Sequence, residues 1–373
     1  MRDERNLLYP HFILHSMKNI MPNTKYYAIT IPGLEDVSWQ EIETKLDDVQ
    51  LIKEEKGRLS FTYSEDPSEL LKLRSVENVF IHIGTIQGLT RSRNSLGDIF
   101  RYVTKLDLDI PLKIHKDVHG GKGKKKLTFR VFSTMTGRHN FRRIDAQSTV
   151  EKVLKDKYDL KFDLDKPILE FRLDLEDDTA LLGLRLTDDR IHKLTYKKTS
   201  HVPGSLKQAV AYCMTMLSDP DPSDIFVDPM CGAGTIAIER AYAYRYQRII
   251  AGDVQKSIIE SAKDNVKSSH RAIDLMLWDV SSLPIQDHTV DKVICNLPFG
   301  KQTGSQAENQ YLYTAFFREI RRIIKSKGKG ILLTTERDLM NEVISKYSSV
   351  NIKRKLRIDL SGLKAYIYIL NFR

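Results

Sequence analysis

Apolar and polar positions alternate with two different periods along this chain, and the C-terminal half shows both. "DIFVD" (Asp224 to Asp228) is a short apolar run of β-branched and aromatic character, followed by a turn, "PMCGAGT", and then by "IAIERAYAYRY" at helical spacing. "RIIAGD" predicts a second strand and "QKSIIESAKDNVKSS" a second helix, while "AIDLMLWD" and "VDKVICN" predict a third and a fourth strand. The amphipathic "QYLYTAFFREIRRIIKS" predicts a long helix, "GKGILLTT" a fifth strand, and "VNIKRKLRIDL" with "LKAYIYILNFR" a closing hairpin. Alternation of strand and helix from Asp224 to Thr335 argues for a parallel sheet with helices on both faces.

The N-terminal half has another rhythm. "KYYAITIPGLEDVSWQEIETKL" reads strand, turn, helix; "GRLSFTY" is a strand; "PSELLKLRSVENVFIHIGTI" reads helix, then strand. That β-α-β-α-β order suits a ferredoxin-like layer. "KLTFRVFST", "DAQSTVEKVLKDKY" and "ILEFRLDLEDDTALLGLRLT" then give a strand, a helix and two strands of a second α/β module, and "HKLTYKKTSHVPGSL" has the aperiodic look of a linker. The expected divisions are a leader at 1–24, a ferredoxin-like domain at 25–88, the second module at 89–190, a linker at 191–204 and the C-terminal domain at 205–373.

Composition narrows the function. No run of about 18 apolar residues occurs, which argues against a membrane helix. Cys213, Cys231 and Cys295 are far apart and odd in number, which argues against a disulfide framework or a structural zinc site and for a reducing, cytoplasmic compartment. The net charge is +10, and the stretch from Arg91 to Gln147 alone holds 14 Lys and Arg against 5 Asp and Glu. A local basic excess of this kind points to a polyanion, most often nucleic acid. For "GGKGKKK" by itself, a solvated loop of like charges is an equal alternative.

"VDPMCGAGTIAIE" carries the first candidate chemistry. Gly232 and Gly234 remove side chains where a ligand approaches backbone, and the helix that follows offers unpaired N–H groups. No Gly-Lys-Ser/Thr follows, and Ala237 stands where a dinucleotide fingerprint has its third glycine, so neither a Walker loop nor a pyrophosphate site is read here. Asp253, 25 residues after Asp228, ends the second strand, where a doubly wound fold sets a carboxylate against ribose hydroxyls. Asp279 closes the third strand and could accept from an adenine amino group. An adenosine ligand without pyrophosphate fits all of these.

This loop with its two acids resembles that of class I S-adenosylmethionine-dependent methyltransferases, with a Rossmann-like, mostly parallel seven-stranded sheet. The resemblance implies that Asp228, Cys231, Gly232 and Gly234 surround the methionine end of S-adenosylmethionine, with Leu206 and Lys207 of "HVPGSLKQAV" beside it. Asp253 would then hold the ribose and Asp279 the adenine. Asn296-Leu297-Pro298-Phe299 at the end of the fourth strand resembles the Asn/Asp-Pro-Pro-Tyr/Phe motif of methyltransferases acting on exocyclic amines. The chemistry fits those residue types. An aromatic NH₂ is a poor nucleophile, and acceptors from an Asn side chain and a backbone carbonyl hold it toward the methyl group and favour the charge that develops. Pro298 fixes the backbone and Phe299 offers a ring for a flipped base. Cys295, on the opposite face of the strand, is expected to pack.

"RVFSTMTGRHNFRRIDAQSTVEKVL" resembles the THUMP domain, an RNA-binding module, through Gly137, His139, Asn140, Phe141 and Asp145. The whole chain from about Lys25 to Arg373 is most similar to archaeal and bacterial THUMP-containing tRNA guanine-N2-methyltransferases acting at position 6 of the acceptor stem. That resemblance implies a tRNA-binding enzyme, active as a monomer, and leaves open a small activating protein partner. Lys124, Lys125, Lys126, Arg130, Arg138, Arg142 and Arg143 would meet phosphates and read RNA shape. Two departures, Tyr196-Lys197 in the linker and the basic "GGKGKKK", leave the RNA species open. The alternatives are another RNA guanosine amine, adenine N6 in DNA, and a non-catalytic RNA-binding protein with a methyltransferase fold.

Overall fold

The computed structural model describes residues 23–120, 127–187, 204–298 and 306–373. The N-terminal half runs β1 (Thr24–Thr30), α1 (Glu35–Lys45), β2 (Val49–Glu55), β3 (Arg58–Tyr63), a 3₁₀ helix (Pro67–Lys72) and β4 (Val76–Ile86). It continues as α2 (Asn94–Lys105), α3 (Asp109–His119), β5 (Thr128–Thr136), α4 (Arg143–Tyr158), β6 (Lys161–Phe162), β7 (Leu169–Glu176) and β8 (Thr179–Arg185). These strands form one eight-stranded sheet in the order β2-β3-β1-β4-β8-β7-β5-β6. Antiparallel pairing of β4 with β8, Ile81 opposite Leu184, fuses the two expected modules into one layer.

Several elements depart from the sequence pattern. β2 is not predicted by periodicity, because Leu51 and Ile52 are exposed on a charged edge strand and show no buried alternation. The helix expected over "PSELLK" is a 3₁₀ run started by Asp66, whose side chain accepts from the Ser68 amide at 2.9 Å. The helices α2 and α3 fill a stretch that charge dominates in the sequence; Ile99, Val103 and Pro111 turn inward there.

The C-terminal half runs α5 (Gln208–Leu217), β9 (Ile225–Asp228), α6 (Thr235–Ala243), β10 (Arg248–Asp253), α7 (Lys256–Ser269), β11 (Asp274–Leu277) and β12 (Val290–Asn296). Then come α8 (Gln306–Ile323), β13 (Ile324–Thr334), α9 (Arg337–Ser345), β14 (Val350–Leu360) and β15 (Leu363–Phe372). The seven strands stand in the order β11-β10-β9-β12-β13-β15-β14, with β11 to β13 parallel and β15 antiparallel to its neighbours. The chain steps outward from β9 to β11 and returns to the far side of β9 as β12. The carboxyl ends of β9, β10 and β12 therefore open onto the switch-point crevice, where this class of sheet binds ligands. Apolar residues of α5, α6 and α7 cover one face of the sheet, and those of α8 and α9 the other.

The two halves share a core. Ile31, Leu34 and Val37 enter the C-terminal cluster beside Ala209 and Cys213. Gly33 has φ +98°, and a Cβ there would stand 2.1 Å from the Arg357 carbonyl oxygen. Arg74, just ahead of β4, donates from Nε and Nη2 to Glu239 Oε2 on α6 at 2.9 and 2.6 Å, with both side chains buried. Burial raises the Glu239 carboxyl above its ordinary value, and the Arg74 charge pulls it back in part. Breaking a buried pair from one side is strongly destabilising. Arg74→Ala should cost about 3–5 kcal/mol of unfolding free energy in a urea titration, and Arg74→Met with Glu239→Leu should recover most of it. Wild-type stability in the single variant would reject the pairing.

Candidate active site

The glycine loop is built by its neighbours' backbones. The Cys231 amide donates to the Gly252 carbonyl at 2.8 Å, the Gly232 amide to Asp253 Oδ2 at 3.2 Å, and the Gly234 amide back to the Cys231 carbonyl at 2.8 Å. Gly232 (φ +51°) and Gly234 (φ +78°) hold left-handed conformations, and a Cβ on Gly232 would meet nothing within 4 Å. Space is thus left open over the loop where α6 begins. Two residues the sequence pattern does not single out complete the scaffold. Trp278 donates from Nε1 to the Pro229 carbonyl at 3.0 Å and lies so close to Gly252 that a Cβ there would come within 2.3 Å of its ring. Asn265 donates from Nδ2 to the Ala233 carbonyl at 3.0 Å. A tryptophan in an apolar run and an asparagine in a helix carry no local signal of these roles.

Asp228 is fully buried, and neither carboxylate oxygen has a hydrogen bond of good geometry. Burial pushes its carboxyl well above the usual range; the Asp253 charge adds to this, and the Met230 amide opposes it only in part. Asn296, half-buried at the end of β12, also has a buried and unpaired Oδ1. Asn296 lines a cavity of about 60 Å³ with Ser205, Leu206, Cys231, Gly232 and Thr235. Two larger clefts, of about 420 and 620 Å³, lie where the N-terminal sheet meets the β14–β15 end and hold neither Asn296 nor the glycine loop. Unpaired buried acceptors are costly, and these two suit a ligand bringing donors and positive charge. For Asp228, that chemistry, with the open loop, fits the sulfonium and ammonium of S-adenosylmethionine.

The remaining site residues divide. Asp253 stands half-buried at the end of β10, its Oδ1 accepting from the Gln255 amide at 3.1 Å. Asp279 is exposed on the rim of the same sheet end, and its Oδ1 accepts from the Ser281 amide at 2.8 Å, which holds its carboxyl below the ordinary value. Leu297 is fully buried, its amide donating to the Leu333 carbonyl at 2.9 Å. The Pro298 carbonyl accepts from Tyr313. Phe299, with Lys124, Lys125 and Lys126, lies outside the described residues. Cys231 and Cys295 are buried with their thiols pushed well up by burial, the state of packed and not of nucleophilic sulfur.

The arginines divide too. Arg138, Arg142 and Arg143 follow one another along the turn into α4, and the backbone there reaches Arg91 through the Asn140 amide at 2.7 Å. Arg93 adds a charge that acts on Asp145. Arg142 pairs with Asp145 at 3.0 Å, and Arg143 donates to Ser133 Oγ at 2.8 Å, so both are held locally. Arg130 is not part of this group: it pairs with Glu170 at 3.0 Å, which also holds Arg185. His139 is a turn residue, its Nε2 3.1 Å from the Thr136 carbonyl.

Residues 196–365 match the family model of the RMKL-like methyltransferase domain, and residues 96–185 that of the THUMP domain. The two matches are consecutive along the chain, that of the THUMP domain first. Its fold is shared with TrmN from Thermus thermophilus, at a TM-score of 0.77 and 23% identity, covering 94% of this chain and 100% of that one. The fold is that of class I methyltransferases. A tRNA (guanine(6)-N2)-methyltransferase of Methanocaldococcus jannaschii is 25% identical, covering 92% of this chain and 99% of the relative. Human tRNA (guanine(6)-N(2))-methyltransferase THUMP3 is 32% identical over 262 residues, or 65% of this chain. This chain spans 51% of the length of that human relative. No helix among the described residues is long and apolar enough to cross a membrane.

The buried carboxyl of Asp228 gives a pH signature. A carboxyl raised in the folded state binds its proton more tightly there than in the unfolded chain. Folding stability therefore falls as pH rises from the unfolded value towards the folded one. Asp228→Asn escapes that loss. Without cofactor, its stability should equal the wild type's in acid and exceed it at neutral pH, the gap opening by at most about 1.4 kcal/mol per pH unit. Denaturation midpoints over a pH series measure this, and parallel curves would show that Asp228 carries no such strain.

Proposed function

We propose that this protein transfers a methyl group from S-adenosylmethionine to the exocyclic N2 of a guanosine in tRNA, at position 6 of the acceptor stem. The observation that carries the reading is the unpaired, buried Oδ1 of Asn296, a residue that lines a cavity with Cys231 and Gly232 of the open glycine loop. S-adenosylmethionine supplies an electrophilic methyl on a sulfonium sulfur. Asn296 Oδ1 and the Leu297 carbonyl accept the two N2 hydrogens and hold the nitrogen lone pair in line with that methyl. As the N–C bond forms, the C–S bond breaks and sulfur keeps the electron pair. The nitrogen gains positive charge, which both acceptors favour, and then loses one proton to water. Asp228 meets the positive methionine end and Asp253 the ribose, while the exposed Val254 and Leu277 offer an apolar ledge by Asp253 and Asp279 for adenine.

The tRNA partner is supported by the THUMP match, the basic excess from Arg91 to Gln147 and the activity named for the relatives. The arginines at the start of α4 contact phosphates. The target guanine reaches the clamp flipped or frayed out of its pair. The three cysteines are free and buried, which suits the reducing cytoplasm. One chain is taken as the working unit, and the transfer assay, run with and without an activating protein, tests that.

Asn296→Ala should lower transfer to purified tRNA at least about 100-fold while calorimetry finds cofactor affinity unchanged; retained activity would sink the clamp. Asp253→Ala should do the reverse, weakening cofactor binding first. Arg138→Ala with Arg142→Ala should weaken tRNA binding about equally across sequences and flatten its salt dependence by roughly two phosphate contacts. An unchanged slope of affinity against salt would remove the α4 turn from the interface. Nucleoside mass spectrometry of tRNA from a deletion strain tests the base: N2-methylguanosine should disappear from position 6.

A further inference from the structure

Tyr313 lies on α8, outside both the glycine loop and the Asn296 motif, and is fully buried. Its hydroxyl stands 2.6 Å from Thr334 Oγ1, at the end of β13, and 3.2 Å from the Pro298 carbonyl oxygen. Thr334 Oγ1 already accepts from the Glu336 amide at 2.9 Å. Tyrosine has one hydroxyl hydrogen and so has threonine. The arrangement that satisfies every partner is a one-way chain: Glu336 N–H to Thr334, Thr334 O–H to Tyr313, and Tyr313 O–H to the Pro298 carbonyl. Such chains polarise one another and strengthen the terminal bond. Burial, above all, pushes the Tyr313 phenol up, so it remains a donor throughout the neutral range.

The chain ahead of the Leu297 carbonyl is held as well. The Leu297 amide is bonded to the Leu333 carbonyl and its side chain is locked in the core. A residue before proline is confined to extended conformations, and the proline ring fixes its own φ. The Leu297–Pro298 peptide, whose carbonyl is one acceptor of the clamp, thus lies between two anchors: the Leu297 amide on Leu333 and the Pro298 carbonyl on Tyr313. No described residue donates to the Leu297 carbonyl.

We propose that Tyr313, backed by Thr334, is a positioning residue of the amine clamp: by anchoring the Pro298 carbonyl it stops the Leu297–Pro298 peptide from turning, and so keeps the Leu297 carbonyl aimed at the substrate NH₂ beside Asn296 Oδ1. This rests on the transfer reaction proposed above. Catalysis is sensitive to small errors of placement, so loosening one rotation of a two-acceptor clamp lowers turnover more than binding.

Tyr313→Phe keeps the ring and removes only the oxygen. In a methyl-transfer assay with labelled cofactor, its kcat should fall about tenfold, with KM for tRNA and the cofactor dissociation constant at wild-type values. Thr334→Val should fall by less, and the double variant no further than Tyr313→Phe alone. Asn296→Ala, measured alongside, separates the two claims. If the wild type transfers methyl, Asn296→Ala abolishes it and Tyr313→Phe keeps full kcat, the positioning role is overturned and the function stands. The positioning role is overturned in the same way if Tyr313→Phe lowers only the melting temperature, or lowers KM and kcat in proportion. A wild type that transfers no methyl group to any tRNA overturns both.

Discussion

The Arg74–Glu239 pair fixes the frame on which the site depends. Glu239 sits in the middle of α6, the helix that starts at the glycine loop, and Arg74 leads into β4, the central strand of the fused N-terminal sheet. Glu41 secures the other end: its carboxylate accepts from the Arg74 amide at 3.0 and 3.1 Å and from the Ser75 amide at 2.7 Å. Arg74 also lies over the rings of Tyr212 and Tyr242. A buried ion pair adds little net stability compared with apolar residues of the same shape. Its effect here is on orientation: two fixed hydrogen-bond directions and two ring faces leave the N-terminal layer one seat on the C-terminal domain. The shared core around Ile31, Leu34 and Val37 supplies the apolar burial for that seat.

The site follows the opposite pattern. Asp228 and Asn296 leave buried acceptors without partners, while the backbone around them is held by the Cys231, Gly234 and Leu297 amides. An unsatisfied group in a rigid wall cannot relax towards a substitute partner, so it keeps its preference for a ligand donor. Gly252 and Trp278 illustrate the rigidity. The strand end carrying Asp253 is pressed against an indole that is itself bonded to the Pro229 carbonyl, so the acid and the loop move only together.

Much of this is legible in the sequence, for reasons that can be named. The order of strands β9 to β15 follows from the switch between two hydrophobic periods, and the crevice residues follow from where strands meet glycine, aspartate or asparagine. The single N-terminal layer is not legible, because the pairing of β4 with β8 joins segments about a hundred residues apart and no local pattern encodes it. β2 is hidden by an exposed, charged edge strand, and α9 by its short length between a strand and a hairpin. In the site, Asn296 stands out as a polar residue ending an apolar strand. Tyr313 and Trp278 do not, because a buried aromatic in an amphipathic helix or an apolar run reads as core until its polar atom is seen to reach a backbone carbonyl.

The division of the arginines follows from the same rigidity. Charges that read a polyanion must be presented at a fixed distance from the chemistry, because phosphate contacts give position and carry no sequence. Arg130 is engaged within the sheet by Glu170, whereas Arg138, Arg142 and Arg143 gather on the turn before α4, whose helix packs on the layer that Arg74 seats. On the proposed reading, the catalytic clamp needs no base-specific contact to choose its nucleotide. A fixed separation between the phosphate-binding turn and the carboxyl end of β12 selects the guanosine lying at that distance along the RNA, and the two acceptors then admit it only if it carries an exocyclic amine.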